Sequence, residues 1–124
     1  MSMNLKRYRI DVTTIADGSG SDTHDKYVRG FVHKVVWMDG DYADGVDAVL
    51  SVTETPAGVD ETLLTLTNAN VDDVYYVSTV ESDQVGADRT TTTRLLIEGK
   101  LKLDVTNGGD TKTGGVIVYV ESLL

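Results

Sequence analysis

Apolar and polar residues alternate along most of this chain with a period of two. Between Lys100 and Glu121, Leu101, Leu103 and Val105 alternate with Lys100, Lys102, Asp104 and Thr106; further on, Val116, Val118 and Val120 alternate with Ile117, Tyr119 and Glu121. Successive side chains of an extended chain point to opposite faces, so the first arm has one apolar face and the second is apolar on both. Asn107-Gly108-Gly109 and Gly114-Gly115 lie between the arms and tolerate the backbone angles of a reversal. The segment is therefore expected to be a hairpin whose second strand lies inside a sheet.

The same period recurs upstream. Leu5 to Ile15 puts Tyr8, Ile10, Val12 and Thr14 on one face and Arg7, Arg9, Asp11 and Thr13 on the other. Lys26 to Met38 carries apolar residues at both parities, which predicts a buried central strand or a bulge near Gly30. Val46 to Glu54, Glu61 to Asn68 and Val74 to Val80 read as further strands, with Pro56 ending the first of these. Glu81 to Thr93 has little apolar content and no period, so a long surface loop is expected there, with Gly99 bending the chain into the final pair of strands. Seven to eight short strands with turn residues between them predict an all-β fold, an antiparallel two-sheet sandwich of jelly-roll type, formed by residues 1–124 as a single domain.

Composition narrows the chemistry. Without cysteine the chain has no disulfide framework, thiolate zinc site or cysteine nucleophile. Of eleven cations, Lys6, Arg7 and Arg9 fall in the first ten residues, which hold no acid; the remaining eight face twenty acids, a net −12 on the rest against −9 overall. So acidic a surface repels phosphate, which argues against nucleic acid as a partner. No run of about 18 apolar residues offers a membrane span, and the basic start passes into a strand without the apolar core of a signal peptide. Synthesis in the cytoplasm is expected.

No enzyme is expected. His24 and His33 are the only histidines; one lies in an acidic loop, the other in a strand, and neither accompanies a nucleophile motif. No cofactor motif is present, because the paired glycines do not open a helix. Calcium is the chemical alternative, through Asp17, Ser19, Ser21 and Asp22 or through Asp39, Asp41, Asp44 and Asp47, although both loops lack the terminal glutamate of a helix-loop-helix site. Turn chemistry accounts for the same residues. Trp37, in the strongest apolar strand, is expected in the core. Tyr42, Tyr75 and Tyr76 are the candidates for an exposed contact surface, with pairing inside a sheet as the other reading.

Three stretches carry a resemblance: Val12-Thr13-Thr14 with Asp17-Gly18 after it; Ala43-Asp44-Gly45-Val46-Asp47 entering a strand; and Lys100-Leu101-Lys102-Leu103 followed by Asn107-Gly108-Gly109, Lys112-Thr113-Gly114 and a valine-rich strand. Together they resemble the small all-β virion structural proteins of tailed bacteriophages that decorate or cement the capsid. The resemblance implies a non-catalytic protein on the virion head surface that binds the major capsid protein and stabilises its shell, alone or as a dimer or trimer. Lys6, Arg7 and Arg9, with Tyr42, Tyr75 and Tyr76, are then the candidate capsid contacts. The alternatives are a neck, tail or fibre-attachment component, and a calcium- or carbohydrate-binding β module.

Overall fold

Tyr8, Ile10 and Val12 are buried and Arg7, Arg9 and Asp11 exposed, so the first alternation of the sequence becomes a strand, β1 (Leu5–Thr13), with one face in the core. The computed structural model describes residues 4–82 and 84–124. Among these there is no helix, and nine further strands follow. They are β2 (Gly20–Thr23), β3 (Val28–Met38), β4 (Asp47–Thr53), β5 (Glu61–Leu66), β6 (Asp73–Tyr75), β7 (Ser78–Ser82), β8 (Asp88–Arg94), β9 (Leu96–Thr106) and β10 (Thr113–Ser122). The fold is all-β and its pairings are antiparallel.

Hydrogen-bonded neighbours run in the order β1-β10-β3-β9-β4-β5, with β2 also on β9, β6 also on β3, and β7-β8 as a separate pair. The path is continuous because β9 changes partners: Leu96 to Gly99 pair with β3, and Lys100 to Thr106 with β4. Gly99 makes the change possible. Its φ is 150°, and a Cβ there would lie 2.4 Å from the Thr53 carbonyl oxygen. The inner residues of β1, β10 and β3 share one core with those of β4, β5 and β9. The packing is thus sandwich-like, while the pairing is one ladder folded over and does not establish two separate jelly-roll sheets.

The strand that follows the first loop is central, as its double apolar parity predicts, and it carries a bulge. Val32 pairs with Val120 and Lys34 with Tyr119, which leaves His33 as the extra residue. Trp37 is fully buried, and its indole N–H donates to the Ala69 carbonyl at 2.9 Å.

Three expectations are corrected. First, β9 and β10 do not form a hairpin, because β10 lies between β1 and β3. Alternation fixes which face a strand buries but not which strand lies beside it. The connector crosses from one half of the fold to the other: Gly108 N–H donates to Gly18 O, and Gly108 O accepts from Ala43 N–H. Second, Gly114 and Gly115 belong to β10 and not to a turn. They are small because the Tyr42 ring and the β1 backbone come within 2.5 and 2.0 Å of where their Cβ atoms would be.

Third, most of the expected loop from Glu81 to Thr93 is the β7-β8 pair, apart from Asp83, which lies outside the described residues. A threonine-rich strand has β propensity without an apolar period to reveal it. The expected strand from Val74 to Val80 divides between β6 and β7, and these short strands raise the count above the expected seven to eight.

Candidate functional site

The outer face of β1-β10-β3-β6 is apolar at its centre although, among the described residues, no second sheet layer covers it, the end of β8 reaching it at Arg94. Pairing register places Arg7 opposite Tyr119 and Tyr119 opposite Lys34. The next row runs Arg9, Ile117, Val36, Val74. Ile117, Tyr119, Val36 and Phe31 are half-buried by their in-plane neighbours, and Val74 is exposed.

Cations lie across this surface. The Lys34 ammonium sits 4.7 Å from the centre of the Tyr119 ring, and the Arg94 guanidinium 4.6 Å from that of Phe31. Arg94 is also ion-paired with Glu121, and Arg9 Nε with Asp11 at 3.0 Å. His33 continues the outward parity of Arg29 and Phe31, and its ring meets that of Tyr76 edge to face with centres 6.4 Å apart. Tyr76 is 72% exposed. A protein of net charge −9 thus gathers Arg7, Arg9, Lys34 and Arg94 with half-buried aromatic and aliphatic groups on one face.

Of the six residues singled out in the sequence, Arg7, Arg9 and Tyr76 reach this face. Lys6 has the parity of Tyr8 and Ile10 and lies half-buried beside the face. Tyr75 points inward, opposite Val35, and packs on the core. Tyr42 is corrected outright: it is 5% exposed, stacks on Trp37 at 5.7 Å and donates its hydroxyl to the Val12 carbonyl at 2.5 Å, so it offers no contact surface. An aromatic residue among aspartates reads as exposed, but here the missing side chain of Gly114 makes room for its ring. Lys34, Val36, Ile117 and Tyr119 also belong to this face and did not stand out in the sequence. For Val36, Ile117 and Tyr119 the signal was the apolar character of both parities in β3 and β10, which an uncovered face produces as well as a buried one; Lys34 had none.

Burial pushes the Tyr42 hydroxyl up to about 12, the nearby Asp11, Asp41 and Asp39 adding to the shift and a Gly114 backbone hydrogen bond opposing it. A phenol that holds its proton more tightly when folded contributes stability that is complete below the ordinary value of 10.0 and is lost as pH rises towards 12. Unfolding free energy should fall by about 2–3 kcal/mol over that window. Denaturation midpoints for Tyr42→Phe should show a shallower fall, with some slope left because burial also raises Tyr8 and Tyr75. An unchanged slope in the variant would count against this assignment.

Carboxylates of the first acidic loop hold that loop, and those of the second tie it to neighbouring segments. Asp17 accepts from the Ser19 hydroxyl at 2.6 Å and the Ser19 N–H at 2.9 Å, which hold its carboxyl below the usual range. Asp22 accepts from Thr23 N–H and Asp41 from Thr113 N–H; Asp47 takes Asn68 N–H and the Asn107 side-chain amide. Asp39 is pushed up, first by burial and then by Asp72 and Asp44. Among the described residues, no three acidic or imidazole side chains converge as metal ligands.

No family model matches the chain, nor does any curated protein or solved structure.

Proposed function

We propose that this chain is a virion structural protein of a tailed bacteriophage, a decoration or cement protein that binds the major capsid protein on the head surface and stabilises the shell. The observation that supports this most directly is the uncovered face of β1-β10-β3-β6, where arginines and a lysine border half-buried aliphatic and aromatic groups. Such a mixture suits protein contact: Tyr and Arg bury area while keeping polar tips, and cations select a carboxylate-rich partner. The resemblance in the three turn-and-strand stretches supplies the identity of that partner.

The size of the face sets the mode of binding. Three strands of 9, 10 and 11 residues, with the 3 residues of β6 at one side and about 4.8 Å between neighbours, span roughly 15–20 Å by 30 Å, which is at or below the low end for a specific interface. A single contact would be weak, and engagement of several shell subunits together would raise the effective affinity. The acidic loops would face solvent. Self-association as a dimer or trimer is part of the same proposal, and synthesis takes place in the host cytoplasm.

Copy number in purified particles, with heads separated from tails, tests the assignment. Hundreds of copies confined to heads are expected. A handful in the tail fraction would move the protein to the neck, tail or fibre attachment, and absence from particles would overturn the virion reading. Replacing Lys6, Arg7 and Arg9 together by glutamine should weaken capsid binding about tenfold or more and flatten its salt dependence. Unchanged binding would remove these cations from the contact.

A further inference from the structure

β1 ends the ladder, and its second edge has no sheet partner among the described residues. The parity of that edge follows from two hydrogen bonds at its ends, Ser122 N–H to Asn4 O and Thr14 N–H to Lys112 O. Even-numbered residues turn their backbone groups towards β10, so Leu5, Arg7, Arg9 and Asp11 turn theirs outward.

The chain returns beside this edge without pairing to it. At Gly20 it comes so close that a Cβ would lie 2.9 Å from Thr13 O, and then β2 diverges to pair with β9. Two adjoining clefts open between them. One, of about 370 Å³, lies between Arg9–Asp11 and the segment 22–25; the other, of about 510 Å³, lies between residues 5–8 and His24 with Lys26. The Tyr8 and His24 rings meet edge-on at 5.4 Å between β1 and β2.

We propose that the free edge of β1 accepts an extended segment of a partner protein, added as a further strand, whose side chains alternate between acidic and apolar. Backbone pairing comes from Leu5, Arg7, Arg9 and Asp11, and selectivity from the two faces of the added strand. Its outward side chains fall beside Arg7 and Arg9 and favour carboxylates; its inward side chains fall over the cleft, where Tyr8 and Ile10 are nearly covered and Asp22, Thr23, His24 and Asp25 form the far wall, so that small uncharged groups are favoured and carboxylates repelled. The Arg9–Asp11 pair is 61% and 50% exposed, so it yields to a partner carboxylate at little cost. A second copy joined edge to edge about Tyr8 would set Arg7 against Arg9, like charge against like.

The inference shares Arg7 and Arg9 with the proposed docking face but does not depend on capsid binding, since the isolated protein tests it. The probe is the capped hexapeptide Glu-Val-Glu-Val-Glu-Thr, titrated into isotope-labelled protein and followed by amide resonances and hydrogen exchange. Saturable binding below about 1 mM is expected, with the amides of Leu5, Arg7, Arg9 and Asp11 shifted and protected while exchange at Lys6, Tyr8 and Ile10 stays as it was. Methylating alternate peptide nitrogens should abolish binding, and Arg7→Gln with Arg9→Gln should weaken it about three- to tenfold. No saturable binding, equal binding of a lysine-for-glutamate peptide, loss of the odd-even pattern, or protection of the same amides by dimerisation without peptide would each overturn it.

Discussion

Alanine at Gly115 should lower the thermal midpoint by about 10 °C or more, a loss of about 3 kcal/mol or more. The cause is crowding of the backbone. Gly115 lies opposite Asp11 on one side and Met38 on the other, and its added Cβ would be 2.0 Å from the Ile10 carbonyl oxygen and 3.0 Å from the Asp11 Cα. A Cβ has no rotamer with which to escape, so β1 and β10 would have to part at this end of the ladder. Gly58→Ala is the control: Gly58 has φ 74° and nothing within 4 Å of the added atom, so only backbone strain opposes the change, at about 1 kcal/mol. Melting curves followed by circular dichroism compare the two. A Gly115→Ala midpoint within about 2 °C of the parent would show that the two strands part freely.

Trp37→Ala should cost about 4 kcal/mol or more, a large share of a domain's usual 5–15 kcal/mol. Trp37 pairs with Val116 of β10 and Asp73 of β6, and its fully buried indole stacks on Tyr42 and donates to the Ala69 carbonyl. Truncation leaves a cavity and an acceptor without its donor. Trp37→Phe keeps most of the volume but loses the N–H and part of the ring system, so about 1–3 kcal/mol is expected. Because Trp37 is the only tryptophan, both variants are followed by far-ultraviolet circular dichroism in denaturant rather than by fluorescence. Equal losses in the two would mean that the hydrogen bond, not the volume, dominates. Losses under about 1 kcal/mol in both would contradict the packing described.

Local periodicity was sufficient to place β1, β3, β4 and β5, whose turns are marked by Gly, Asn, Asp or Pro: β1 buries alternate residues and β3 does so on either side of its bulge, whereas β4 buries Leu50, Ser51 and Val52 in a row and β5 buries Leu63 and Leu66 across a register shift. It failed for β7 and β8, where a threonine-rich strand gives no apolar alternation, and for β9 and β10, where it identified the faces but not the neighbours. Pairing is a long-range property: Leu103 finds Leu50 and Asp22 in the ladder, not the strand that follows it. The candidate site was half legible. Arg7 and Arg9 stood out as cations in an acidic chain, and their parity already put them on one side. Ile117 and Tyr119 were visible as apolar residues on the second face of β10, but that pattern is equally what burial between two layers produces. Only the layering separates an interior from an uncovered surface. Tyr42 depended on Gly114, far along the chain, and no local pattern connects the two.

Pairing of β1 with β10 joins Leu5 to Glu121 across all the intervening strands. During translation β1 emerges early and must wait, its apolar side chains uncovered, until β10 has cleared the ribosome. The arginines of β1 therefore enter a formed surface only once synthesis has passed β10. A nascent chain stalled before Thr113 has no such surface to offer, so the proposed partner would meet this face only on polypeptide made at least as far as its tenth strand.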